Sequence, residues 1–225
     1  MRTEKRIDQS RFPFCLEGEK VTSMWKVGLT GGIACGKSTV TAYLKEQGIQ
    51  VIDADEISHR LMGEDPEIKA ALLSHFGEDI LDQQADLDRK EIAKRVYASA
   101  DELSFLNRLM HPRIRQSIEE DLAQLQALGN TLAVIDVPLL FEAHFEDLVD
   151  EILVVALPKA MEVERLMARD GIGQDLAEKK IASQLALEEK IARADRVIDN
   201  SGTIASTKNQ VEAWLKEKEE KHVMS

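Results

Sequence analysis

The chain has 225 residues, of which 44% are hydrophobic and 31% charged, and a formal net charge of −12. That size and mixture suit one α/β domain with insertions and a real core. They exclude a basic duplex-binding protein, and no apolar run approaches the roughly 18 residues of a membrane helix.

Residues 1–23 have no apolar stretch and so no secretory signal. They read as an extension without chemistry, either a leader or the product of an early start codon, with one domain over 24–225. The two cysteines, Cys15 and Cys35, form no metal spacing, and a disulfide at Cys35 would distort the loop around it. A reducing cytoplasm is the expected compartment.

Trp25-Lys26-Val27-Gly28-Leu29-Thr30 reads as a short buried strand and Ser38-Thr39-Val40-Thr41-Ala42-Tyr43-Leu44 as a helix. Between them, Gly31-Gly32-Ile33-Ala34-Cys35-Gly36-Lys37-Ser38 fits G-x-x-x-x-G-K-[ST], the phosphate-binding P-loop. Such a turn aims backbone N–H groups at one point, and the helix dipole adds roughly half a positive charge there. The loop residues Gly32, Ile33, Ala34, Cys35 and Gly36, with Thr39, are expected to surround a triphosphate. Lys37 would reach its β- and γ-phosphates, and the Ser38 hydroxyl would ligate Mg²⁺. A dinucleotide-binding turn needs different glycine spacing and is rejected. Cys35, near a helix N-terminus, is expected to favour its thiolate, with a pKa below about 8.5, and to react with alkylating reagents unless MgATP shields it.

Further strands are predicted at Gln50–Ile52, Thr131–Val137, Glu151–Ala156 and Asp195–Asp199. Each is apolar on both faces, as in a parallel sheet covered by helices. The fold class is therefore α/β: a three-layer P-loop fold with a five-stranded parallel sheet and ligands at the carboxyl ends of the strands. About 56–130 is helical in pattern and too long for a crossover, so it is an inserted helical substrate subdomain. Within it Asp65-Pro66 starts one helix, Asp101 caps another, and His111-Pro112 begins a third with proline in its first turn. About 160–193 is charged and helical, broken by Asp170-Gly171-Ile172-Gly173, and reads as a lid with a glycine hinge. Thr203 onward is a closing amphipathic helix with Trp214-Leu215 on its apolar side.

Asp53-Ala54-Asp55 follows the second strand. In an extended segment alternate residues point opposite ways, so one of the two carboxylates faces the loop. It would take the proton of an acceptor hydroxyl or hold a water on Mg²⁺; the plainer alternative is a helix cap. Asp136 ends the third strand at the Walker B position, suited to hold Mg²⁺ through water. Arg165 and Arg169 share a helix face before the hinge. One would stack on adenine and the other neutralise the transferring phosphoryl group. Arg115 suits an anion clamp.

Several runs together resemble the bacterial dephospho-CoA kinases, from Trp25 to about Trp214. They are Gly28-Leu29-Thr30-Gly31-Gly32-Ile33 with Gly36-Lys37-Ser38-Thr39; Val51-Ile52-Asp53-Ala54-Asp55; His111-Pro112 with Ile114; Asp136-Val137-Pro138-Leu139-Leu140-Phe141-Glu142; and Ala194-Asp195 with Val197-Ile198-Asp199-Asn200 and Gly202. Leu87-Asp88-Arg89 and Phe76-Gly77 also match. The resemblance implies ATP-dependent phosphorylation of the ribose 3′-hydroxyl of dephospho-CoA, with Mg²⁺. It implies Asp55 as general base, Asp53 second, Lys37 and Arg169 carrying the developing charge, and Arg165 and Asn200 at the adenine. His111 and Arg115 would bind the acceptor. No nucleic acid or membrane partner is expected, and the protein should be a monomer or weak homo-oligomer. A kinase for another small hydroxyl acceptor, or a P-loop ATPase or switch, is the alternative; no guanine-specific N-K-x-D occurs. The family commonly has Gly-Ser where this chain has Ala34-Cys35. Either the loop stays right-handed at Ala34 or affinity suffers.

Overall fold

The computed structural model describes residues 23–223. The expected extension over 1–23 lies, but for its last residue, outside the described residues. Five strands form one sheet: β1 (Trp25–Gly31), β2 (Gln50–Asp53), β3 (Leu132–Asp136), β4 (Glu151–Ala156) and β5 (Arg196–Asp199), in the order β2-β3-β1-β4-β5. β1 lies between β3 and β4 and is parallel to both. The register sets Leu29 of β1 beside Asp136 of β3, and the Val137 N–H then donates to the Leu29 carbonyl at 2.9 Å. This is how the sheet delivers Asp136 to the phosphate loop.

The helices are α1 (Lys37–Glu46), α2 (Ala54–Glu64), α3 (Pro66–Phe76), α4 (Arg89–Ala98), α5 (Ala100–Ala127), α6 (Lys159–Asp170), α7 (Gln174–Ala182), α8 (Leu187–Ala192) and α9 (Ile204–Val223). The chain divides into two compact units, one of Asp53–Asp121 and the other holding the sheet with α1 and α6–α9. In the sheet unit, Val27, Leu29, Val134, Leu153 and Val155 of the central strands meet Val40 and Leu44 of α1 and Val211, Trp214 and Leu215 of α9. Each large apolar side chain so buried contributes about 1.5–3 kcal/mol. All six residues of β4 are buried, which accounts for the unbroken apolar run that marked it as a covered parallel strand.

In the unit Asp53–Asp121, aspartates start the helices. Asp65 accepts from the N–H groups of Glu67 and Ile68 with Pro66 in the first turn of α3, as its sequence predicts. Asp88 does the same for α4. Two helix starts differ from expectation. Asp101 lies inside the first turn of α5, and Ser99 is the residue whose hydroxyl accepts there, from Glu102 N at 3.5 Å. His111-Pro112 begins no helix: Pro112 stands inside the 28 residues of α5. A proline costs a helix interior one N–H bond and a clash with the preceding turn. Here long helical sequence on both sides, with Met110, Ile114 and Ile118 buried, outweighs that cost.

Candidate active site

Gly36 opens α1 in the left-handed region (φ 82°), with no side chain capping the helix. The first N–H groups of α1 thus have no side-chain cap, as at α6–α8 and unlike those of α2–α4, which aspartates take. A Cβ at Gly36 would also collide with the Asn200 amide, so only glycine serves. Lys37, in the first turn of α1, pairs with Asp136, whose other oxygen accepts from Thr41 Oγ1 at 2.6 Å. Sequence reading missed Thr41, although it stands one helical turn beyond Lys37 and so on the same face. Ser38 is exposed at the start of the helix.

Ala34 has φ 58°, so the loop does not stay right-handed at this residue. An L side chain there costs about 1–2 kcal/mol, which a glycine would avoid. The thiol expectation is overturned. Cys35 is fully buried beneath the loop, its Sγ 3.9 Å from Glu162 Oε1. Burial first, and then the neighbouring Glu162 carboxylate, push its pKa up to about 12. The helix N-terminus does not win, because the sulfur lies in the core and faces a carboxyl group. Glu162 of α6 is itself buried and packs against Gly32, where a Cβ would strike it. Burial raises its pKa above the ordinary value.

Asn200, just past β5, was expected beside the adenine. Both ends of its side-chain amide are engaged by protein groups. Nδ2 donates to the Cys35 carbonyl at 2.8 Å, and Oδ1 accepts from Thr207 Oγ1 at 2.7 Å. Its backbone carbonyl accepts from Nη2 of Arg165 of α6 at 3.0 Å. Arg169, one turn on and exposed, pairs with Asp170 at 2.8 Å. Lys180 of α7 reaches the same carboxylate at 2.7 Å, across the turn made by Gly171 and Gly173. Arg169 and then Lys180 hold the Asp170 pKa at about 2.

Asp53, Asp55, His111 and Arg115 belong to the other unit. The two aspartates do not share an extended segment. Asp53 ends β2 and caps α2, its Oδ1 accepting from the N–H groups of Asp55 (2.9 Å) and Glu56 (3.1 Å). Asp55 is exposed in the first turn of α2. The cap reading therefore holds for Asp53, and the alternation argument does not apply. His111 is half-buried on α5, and Arg115 lies 3.9 Å from Glu119.

Among the described residues no three His, Cys, Asp or Glu side chains are grouped to hold a metal ion. Mg²⁺ keeps most of its waters and takes one or two protein groups along with substrate phosphates. Ser38 and, through water, Asp136 fit such a role.

Residues 25–206 match the family model described as dephospho-CoA kinase. A dephospho-CoA kinase of Carboxydothermus hydrogenoformans is 42% identical over 185 residues, covering 82% of this chain and 90% of that one. The Enterococcus faecalis dephospho-CoA kinase is 38% identical, covering 85% and 96%. Among solved structures, TT1252 from Thermus thermophilus aligns with a TM-score of 0.73 at 31% identity over 87% of this chain and 98% of that one. The dephospho-CoA kinase from Campylobacter jejuni gives 0.69 at 28% identity over 88% and 98%.

Proposed function

The chain belongs to the dephospho-CoA kinase family, and from that membership we propose how its residues divide the work. The reaction is ATP-dependent phosphorylation of the ribose 3′-hydroxyl of dephospho-CoA, giving coenzyme A and ADP, the last step of coenzyme A biosynthesis. One observation carries this reading beyond a generic nucleotide site. The match runs from β1 through the unit Asp53–Asp121 to the start of α9, and is not confined to the phosphate loop.

ATP is the phosphoryl donor. Its phosphates lie on the backbone of Gly32–Gly36 and on the open start of α1, with Lys37 turning from Asp136 to the β- and γ-phosphates. The Lys37–Asp136 pair supports this: it holds the ammonium group at the loop before the nucleotide arrives. Ser38, and Asp136 through water, would hold Mg²⁺, which would supply neutralising charge to the transferring group. Arg169 leaves Asp170 to meet the developing charge, and Arg165 covers the adenine from α6. Asp55 takes the 3′-hydroxyl proton, with Asp53 fixing the start of α2 that carries it. His111 and Arg115 bind the acceptor. Closure of 160–193 excludes water, which would otherwise take the phosphoryl group. The buried free thiol of Cys35 favours a reducing compartment, hence the cytoplasm. Among the described residues no helix is long and apolar enough to cross a membrane. The working form is a monomer or weak homo-oligomer.

A coupled ADP-release assay across small acceptors tests this. Turnover with MgATP should rise sharply with dephospho-CoA and hardly at all with AMP or adenosine. In the same assay Asp55→Asn should lower kcat by ~10²–10⁴-fold, as loss of a general base does. Equal rates with AMP would point to a nucleotide kinase. A loss confined to ATP binding would move Asp55 to the metal.

A further inference from the structure

Lys190 of α8 is completely buried. An ammonium group in a core is costly unless its protons are met. Here it has three acceptors: the carbonyls of Gly31 (3.4 Å) and Pro138 (3.2 Å), and Glu142 Oε1 at 3.0 Å. Each acceptor belongs to a segment framing the nucleotide site. Gly31 is where β1 enters the phosphate loop. Pro138 follows Asp136 by two residues and also receives the Thr30 hydroxyl at 2.9 Å. Glu142 Oε1 accepts from Leu185 N at 2.9 Å, just before α8. Its second oxygen is buried with no hydrogen-bond partner among the described residues. Glu142 thus has Lys190 as its ion-pair partner, and both tie α8 to the root of the loop.

We propose that Lys190 is a positioning residue for phosphoryl transfer: it binds α8 to both ends of the loop framework and keeps the phosphate loop in its working shape. A lysine that merely filled space would be better replaced by an apolar residue of its own volume. This one sets backbone carbonyls, and through them the direction of the N–H groups that follow. The proposal rests on the loop being the ATP site.

Cys35 supplies a probe that needs no turnover, because it is buried under the loop and reacts only when the loop opens. The chain has two cysteines, so Cys15→Ser leaves it the sole thiol. In that full-length background the rate of iodoacetamide reaction without ATP is compared for Lys190→Met, for Lys190→Met with Glu142→Gln, and for Glu151→Gln. The last destabilises the far end of the sheet. Lys190→Met should react more than about tenfold faster than Glu151→Gln at equal distance below its melting temperature, since the opening is local. Its kcat with MgATP and dephospho-CoA should fall ~10²-fold, with a smaller change in the ATP KM, as a misplaced site requires. The double variant removes the stranded carboxylate; it should melt higher than Lys190→Met yet keep the fast thiol, and it carries the test if the single variant does not fold. Alkylation that follows melting temperature alike in all variants would make Lys190 only a structural residue and overturn the proposal. A parent protein inactive on dephospho-CoA would defeat the kinase reading while leaving the thiol result to judge the loop.

Discussion

At the amino end of the sheet, the buried carboxylate of Glu151 accepts from Trp25 Nε1 and Trp214 Nε1, each at 3.1 Å, and pairs with Lys218. Burial works against its charge, but these donors outweigh burial and hold its pKa below the ordinary value. At the carboxyl end Glu162 is as deeply buried and meets a thiol and a glycine, and its pKa rises. Glu142 keeps one oxygen with no hydrogen-bond partner among the described residues, and Lys37 and Asp136 hold each other where the nucleotide would come. One end spends its polar groups on closing the fold around α9. The other gathers its polar groups around the phosphate loop. Buried charge alone therefore does not mark a functional site; its place at the carboxyl ends of parallel strands is the more telling feature.

The sharpest way to break that contrast is a pair of substitutions. Lys37→Met should cost ~10²–10³-fold in kcat per folded molecule, the scale of one lost transition-state donor, and should also lower the melting temperature, because buried Asp136 loses its charged partner. Glu151→Ala should lower the melting temperature alone. Stranding Lys218 and two indole donors should cost about 3 kcal/mol, or roughly 10 °C in melting temperature, with kcat per folded molecule unchanged. Calorimetry beside steady-state kinetics checks both, and a drop in kcat for folded Glu151→Ala would dissolve the division between the ends. A smaller effect separates the carboxylates by pH. Glu162, with a folded pKa above its ordinary 4.5, contributes stability that is full below that value and is lost as pH rises through the folded pKa. Glu151, shifted down, contributes stability that is present above 4.5 and is lost as pH falls. Above pH 4.5, melting temperatures should therefore show Glu162→Gln gaining on the parent as pH rises; below pH 4.5, the deficit of Glu151→Gln should shrink as pH falls. Parallel curves would mean that the two sites are compensated alike.

The sheet was legible in the sequence because a covered parallel strand has a local signature: β4 matches its predicted span residue for residue. The loop was legible because its glycines answer to backbone geometry that the motif encodes. Pro112 misled because helix continuation depends on packing by residues far from it. Lys190, Thr41 and the true partners of Asn200 were invisible for a related reason. A lysine among glutamates in Leu187–Ala192 reads as surface until the fold buries it against Gly31, and no window of sequence contains both.

The hydrogen bond from Asn200 to the Cys35 carbonyl joins positions 165 apart. During synthesis the phosphate loop leaves the ribosome 165 residues ahead of the amide that holds it. Contacts of such long separation form slowly, because the loop-closure entropy must be met first. On that ground β1 and α1 should collapse on one another early, and the loop should take its final shape only when β5 docks and α9 brings Thr207 to Asn200. A nascent chain would then contain the P-loop sequence long before it contains a P-loop.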